Sequence, residues 1–480
     1  MRGRAALALA LAATLAVRSV EAQSNYRSTP IGGRTTLMGS TGLNYGIDGA
    51  APFQNPATLV LVDDERLSFS VNFYTFTAFR APRWYQPAAV DSARFGAFDD
   101  PSASLTDLEF NALPSSLCLF LSSSRTSRLA LCAAATQTSS FTFASERQDV
   151  GLGLGRLTRI QQTMLVSFIR FALGPTYAVQ ISERLTIGAS LFGGLAMHRS
   201  SINANAQTYG GPAPPISSSF YSGSRGDTLE LHALAGLTYR VGKHSFALAL
   251  EAPSLHVFGV GAANLNTHFE GAGASTRSVG VDGSFVSSTP FRVGVGTGVA
   301  GEKGSAELNL FFHAPMGRAY EANLEGTSVT IDGAGAREEK MNVVIARGAR
   351  AVLNAGIGGQ YLLTPTLSVL GGFSTDFSAA PADEPRGDLL NYNTARTHRL
   401  SGTIGFGSHA ADPKEGELVI GTELSYGWGK RLVVNSYQLP PEFSRASHGT
   451  FTALLIIAGS TSLASIRRAV SDAAGVWRNR

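Results

Sequence analysis

Residues 228–251 read TLELHALAGLTYRVGKHSFALALE, and their alternation decides the fold. Leu229, Leu231, Ala233, Ala235, Leu237 and Tyr239 fall on one face of an extended chain, with Glu230, His232, Leu234 and Thr238 on the other. A Gly-Lys-His turn follows. The next run then sends Phe246, Leu248 and Leu250 one way and Glu251 the other. A period of two on both sides of a tight turn is the mark of a β-hairpin with one apolar face.

The pattern recurs outward in both directions. It is present in LTIGASLFGGLAM (185–197), in PFRVGVGTGVA (290–300) followed by AELNLFFHA (306–314), and in RAVLNAGIGGQYLL (350–363) followed by LSVLGGFSTDF (367–377). RTHRLSGTIGFGS (396–408) and ELVIGTELSYGWGK (417–430) repeat it. From RLSFSVNFYTF at 66 to GTFTALLIIAGSTSL at 449, about fourteen such segments are expected, an even number as in bacterial barrels. Short connections near 122, 182, 242, 302, 365 and 412 alternate with long polar ones at 78–111, 141–163, 199–227, 259–287, 314–349, 379–396 and 429–448. Short turns on one side and long loops on the other fit a meander barrel better than the Greek key of a soluble β-sandwich. The first connection after the first strand is long, so the chain before it starts on the short-turn side.

Composition agrees. Only 15% of the 480 residues are charged, against roughly 25% in soluble domains, and 53 are glycine. The opening MRGRAALALALAATLAVRSVEAQS has two arginines, a short apolar run and a small-residue site, so 1–22 is expected to be a secretory signal peptide cut after Ala22. That run is shorter than the ~20 residues of a membrane helix, and no other is as long. A secreted chain with these properties is expected to be a closed transmembrane barrel, in which every backbone group pairs with a neighbouring strand. A net charge of +4 gives no support to a nucleic-acid partner.

Cys118 and Cys132 flank the turn SSSRTSR, each seven residues from Arg125. Pairing the hairpin about that centre sets Cys118 opposite Cys132 and Leu119 opposite Leu131, both cysteines on the face away from the leucines. A cross-strand disulfide and two free buried thiols are both compatible with this register.

Projecting the alternation inward gives Arg170, Glu230, His232, Glu251, Arg292, Glu307, Asn309, His313, Asn354, Asp376, Arg399 and Glu423 as lumen residues. Polar groups there are ordinary for a wet or plugged barrel. Phe168, Phe192, Leu234, Phe311, Leu370, Leu454 and Ile456 share that face. Apolar side chains inside a barrel point either to a ligand pocket or to packing against an internal plug, and both need something inside. The motifs of metalloproteases, serine hydrolases and redox dithiols are missing from the sequence, and GLGLG at 151–155 lies in an expected long loop with no βαβ unit around it. No catalysis, metal or cofactor is expected, although an embedded hydrolase could bring Ser, His and a carboxylate together from different strands.

Residues 24–64 lack a clean period, yet Leu37, Met38, Leu43, Tyr45, Phe53 and Leu59 argue for burial, so an inserted plug is expected. This region resembles the FadL/TodX outer-membrane transporters of long-chain fatty acids and other hydrophobic compounds. The resemblance rests on Gly33-Arg34, then Asn55-Pro56-Ala57, then Asp63-Asp64-Glu65-Arg66 leading into LSFSVNFY. Ile47-Asp48 stands where family hatches often carry an Asp pair, and the chain ends in ASIRRAVSDAAGVWRNR rather than in an aromatic closing the last strand. The resemblance implies a hatch blocking the lumen, an internal apolar site, and a sideways exit at a kinked third strand, here about Arg128–Ser140.

The expected organisation is therefore a signal peptide (1–22), a hatch (23–65), an all-β transmembrane antiparallel barrel (66–463), and a C-terminal periplasmic tail (464–480) with the pattern of a short amphipathic helix. The expected function is passive uptake of hydrophobic molecules, long-chain fatty acids foremost, across the bacterial outer membrane by a monomer. Its partners are the ligand, a fatty acid or an aromatic hydrocarbon, either of which Phe220 and Tyr221 would suit equally as apolar loop residues, and outer-membrane lipids. The alternative is an adhesive surface barrel whose long loops bind partners.

Overall fold

The computed structural model describes residues 25–466 except 27–28, 63, 82–104, 123, 125, 152–155, 211–215, 271–272, 381–394, 409–415 and 436–441. The signal peptide, Asp63, the tail beyond 466 and residues 152–155 of GLGLG lie outside the described residues.

The first part of the wall is β1 (Arg66–Ala81), β2 (Leu105–Ser122), β3 (Ser127–Gly151), β4 (Arg156–Gln180), β5 (Leu185–Tyr209) and β6 (Ile216–Val241). It continues with β7 (His244–Glu251), β8 (Leu255–Glu270), β9 (Ser275–Ser287), β10 (Arg292–Gly301), β11 (Gly304–His313), β12 (Met316–Asp332), β13 (Gly335–Ala349) and β14 (Val352–Thr364). The last part is β15 (Leu367–Asp376), β16 (Ala395–Ser408), β17 (Glu417–Asn435) and β18 (Glu442–Ser462). All pairings are antiparallel, and β1 closes on β18 from Arg66↔Ser462 to Arg80↔Gly449. β6 pairs with both β7 and β8, so these are two lengths of one wall strand. The same holds for β9 with β10, β11 with β12, and β13 with β14. The barrel thus has fourteen wall strands, as the alternation predicted.

Several long loops are shorter than expected. Strand pairing runs on to Gly151↔Arg156, Leu157↔Tyr209 and Asp332↔Gly335, through stretches expected to be loop. Phe220 and Tyr221 are accordingly strand residues of β6, the first buried and the second facing out. The reason is physical: a β-strand needs only some ten residues to cross the bilayer, whereas 25 residues of β3 reach about 80 Å. Beyond the lipid the outer face no longer has to be apolar, so the ladder continues after the sequence signal has stopped.

Large apolar residues are exposed on the outer face, among them Leu131, Leu173, Leu191, Leu231, Phe246, Ile357 and Leu424. The upper lumen is filled by wall side chains meeting one another, with Met164, Ile202, Phe220, Leu265, Val281, Phe285, Leu324 and Ile345 in one buried cluster. The lower lumen holds the N-terminal segment, with helical turns α1 (Arg34–Leu37) and α2 (Ala51–Gln54) and a 3-10 turn (Pro56–Leu61). Leu37, Leu43 and Leu59 are fully buried there, and Met38 and Phe53 nearly so. Leu463–Ile466 form one helical turn after β18.

Glycine on the wall explains how the segment fits. Gly188 and Gly236 pair across β5 and β6, and a Cβ on Gly236 would stand 1.9 Å from Asn55 Oδ1. Gly358 and Gly372 pair across β14 and β15, where a Cβ would come within 2.0 Å of Met38 O and 2.3 Å of Gly39 N respectively. Gly405 and Gly421 pair across β16 and β17 beneath the methyls of Leu37. Each pair is a bare patch of wall onto which one turn of the inserted segment is pressed.

Candidate functional site

Asn55-Pro56-Ala57 is the best-anchored part of the inserted segment. Asn55 Nδ2 donates to Leu43 O at 2.6 Å, Thr238 Oγ1 at 3.2 Å and Leu237 O at 3.3 Å, while its Oδ1 accepts from Ala57 N at 3.1 Å. The side chain caps the 3-10 turn that Pro56 opens and joins it to both the loop before it and β6. Gly33 is pressed on Ala458, where a Cβ would stand 2.1 Å from the alanine methyl. Arg34 Nη1 donates to Gln360 Oε1 at 2.5 Å. Asp48 accepts from Thr35 N, Thr35 Oγ1 and Ala50 N, so the lone aspartate ties α1 to α2.

A second anchor comes from the wall. The Glu307 carboxylate on β11 accepts from the backbone N–H groups of Gly42 (3.1 Å), Asn44 (3.2 Å) and Tyr45 (2.8 Å), and from Asn309 Nδ2 (3.2 Å). Three amides within one four-residue stretch converge on one carboxylate, an anion-binding nest filled here by the barrel's own side chain.

Above the segment lies a cavity of about 120 Å³. Phe53 of α2 forms part of its floor and stacks on Phe192 with ring centres 4.6 Å apart. Ile31, Ala172, Leu234 and Phe311 add apolar wall, and Tyr26 stacks on His313 at 4.6 Å. Burial pushes the Tyr26 phenol far above its usual range, so it stays neutral. Two guanidiniums reach the cavity and both are compensated. Arg170 donates to Glu230 Oε1 at 3.3 Å, Gln137 Oε1 at 2.6 Å and Ser287 Oγ at 2.8 Å. Arg292 is held by Glu251 at 2.7 Å and donates to Phe53 O at 2.9 Å. His232 lies between the two acids, 3.4 Å from Glu230 and 3.9 Å from Glu251.

The residues projected into the lumen thus separate into groups. Arg170, Glu230, His232, Glu251, Arg292 and His313 come together around the cavity, as do Phe192, Leu234 and Phe311. Leu370, Leu454 and Ile456 are elsewhere, packed against Leu37 and Met38. Phe168 lies outside the cavity with the Arg170 guanidinium 5.2 Å from its ring centre. Asn354 accepts from Phe377 N at 2.7 Å, Asp376 pairs in register with Arg399, and Glu423 is half-buried opposite Leu454. Tyr26, Gln137 and Ser287 were not singled out in the sequence; isolated polar or aromatic residues carry no signal until the strands bring them together.

Cys118 and Cys132 are bonded, with Cα atoms 4.2 Å apart, on the lumen face opposite Gly49. Two residues above them the β2–β3 ladder ends at Ser116↔Ala134. β2 goes on pairing with β1 to Ala81↔Leu105, and β3 with β4 to Gly151↔Arg156, so the strands part. β3 also bulges at Thr136, whose hydroxyl donates to Arg170 O at 3.3 Å. No proline or glycine is needed for this departure from regularity, because an extra residue bends a strand by itself.

No protein-family model and no curated protein match this chain. Solved structures do match it in shape. A Pseudomonas aeruginosa FadL homologue superposes with a TM-score of 0.54 at 13% identity, covering 93% of this chain and 100% of the other. The Pseudomonas putida toluene transporter TodX gives 0.53 at 15% identity over 91% and 99%. The CymD monoaromatic hydrocarbon channel gives 0.52 at 17% over 90% and 97%. The chain has the FadL-type fold. Coverage of 90% or more on both sides extends this likeness in shape over nearly the whole chain; the inserted segment is called the hatch below, as a label for its place in the lumen.

Proposed function

We propose that this protein is a bacterial outer-membrane channel for passive uptake of hydrophobic small molecules, without covalent catalysis. The carrying observation is the electrically balanced, aromatic-walled cavity that sits above a hatch filling the lower lumen. Ligand would be drawn from water by burial of its apolar surface, worth about 25 cal/mol per Å². The parting of β2 from β3 beside Thr136 and Gln137, which border the cavity, supports a sideways exit into the bilayer. The names of the structural neighbours, two of them toluene or monoaromatic hydrocarbon channels, support the same class of cargo.

A neutral ligand fits this site better than the long-chain fatty acid suggested by the resemblance. Both cavity arginines already face carboxylates, so a fatty-acid headgroup would have to displace Glu230 or Glu251 from its partner. The cavity is also close in volume to one of about 150 Å³ that takes up benzene. Cells lacking other hydrophobic-compound channels and expressing this protein are expected to take up naphthalene faster than oleate, relative to cells without it. A folded barrel that speeds neither would overturn the transport reading; one that speeds only oleate would overturn the neutral-ligand part.

A further inference from the structure

The four two-part wall strands are interrupted at one level, at residues 252–254, 288–291, 314–315 and 350–351, and Pro253, Pro290 and Pro315 sit in the breaks. Proline has no N–H to give to a ladder, so a row of prolines loosens main-chain pairing wherever it lies. Between β7–β8 and β9–β10 the ladder lapses from Glu251↔Arg292 to Val260↔Ser284. A small clasp crosses it: Ser254 N donates to Thr289 O at 3.2 Å, and Thr289 N donates to Ser254 Oγ at 2.8 Å.

Two cavities meet at this break. Thr289, Pro290 and Arg292 border the inner cavity, while Phe291 borders a groove of about 700 Å³ on the outside of the wall. Leu234 borders both. Small residues, Ala233, Ala235 and Ala252, line the groove between Tyr177, Leu191 and Phe291. Leu250, Leu255 and Val257 beside the break are exposed apolar residues, which puts the groove in the lipid-facing belt.

We propose that this outer groove is a second binding site for a neutral hydrocarbon, reached from the inner cavity when the Ser254–Thr289 clasp opens. The site is distinct from the β2–β3 opening, since it spans β4 to β7 and the β9–β10 break. Opening costs two hydrogen bonds and no ladder pair, because the prolines and the lapse have already removed the pairing there. The occupant is apolar by the lining, and uncharged because the groove faces lipid and its approach from the inner cavity passes Arg292, already paired with Glu251. The inference rests on the transport reading above.

The test uses the full-length barrel in phospholipid vesicles with naphthalene as probe. Ser254→Cys with Thr289→Cys places a disulfide across the clasp, and Ala252→Trp fills the groove from the lipid side without touching the lumen. Naphthalene transfer is expected to fall several-fold in both variants. Reductant should restore the first, with the unaltered barrel in the same reductant as reference. Transfer undiminished in both folded variants would overturn the second site while leaving the transport reading standing. No transfer by the unaltered barrel would overturn the transport reading and this inference with it.

Discussion

The upper and lower lumen of this barrel are filled in opposite ways. Above, wall meets wall: Phe285 packs edge-on to Tyr320 with ring centres 4.7 Å apart, in a cluster of branched and aromatic side chains. Below, wall meets hatch through bare glycine pairs, one carboxylate nest and the Asn55 bonds. The upper contacts are non-directional and add up by area. The lower ones depend on a few atoms being in place. Side chains from strands already fixed in register can be packed by bulk alone. An inserted segment can shift or leave, so its position has to be specified point by point.

Substitutions in the two regions should therefore fail differently. Phe285→Ala is expected to have the largest effect on stability, a loss of about 3–5 kcal/mol for a fully buried phenylalanine, with small-solute leak unchanged. Urea unfolding in bilayers and single-channel conductance would report both; a leak as large as that of a hatch variant would erase the distinction. Glu307→Ala should cost about 1–3 kcal/mol for each of the Gly42, Asn44 and Tyr45 amides that water does not take over and, unlike Phe285→Ala, should raise conductance. A closed, silent channel in that variant would show that the nest does not hold the hatch.

Gly236→Ala sharpens the comparison, since one methyl group would press on Asn55 Oδ1 and Pro56. About 1–3 kcal/mol of overpacking is expected, again with leak, whereas Gly280→Ala in the upper wall, where a Cβ meets nothing within 4 Å, should be silent in both assays. The smallest effect is expected from Pro56→Gly, about 0.4–1 kcal/mol through the freed backbone, seen as occasional hatch opening in long conductance records. Traces identical to the unaltered protein would leave Asn55 as the element of the motif that matters for gating.

Much of this was legible in the chain. Leu229, Leu231 and Phe246 announce the lipid face because a half-buried strand must alternate, and fourteen segments follow from counting that alternation. The burial of Leu37, Leu43 and Leu59 pointed to a plug because a disordered tail has no use for them. The upper strands were not legible: once outside the bilayer a strand no longer has to alternate, so ladders such as that joining Gly151 to Arg156 continue with no period to announce them. Nor was the division of the seven inward apolar residues, of which Phe192, Leu234 and Phe311 face the cavity while Leu370, Leu454 and Ile456 grip the hatch.

The sequence by itself determined a membrane barrel of fourteen strands, which face of each strand meets lipid, and where the plug hands over to the first strand at Asn55-Pro56-Ala57. Those features depend on periodicity and on neighbours along the chain. Tertiary structure alone decided that Gly188 and Gly236 make room for that turn, that Glu307 closes on three amides some 260 residues away, and that Glu230 and Glu251 neutralise the cavity arginines. These depend on which strands become neighbours when the sheet closes, and a period of two says which way a side chain points without saying what it will meet.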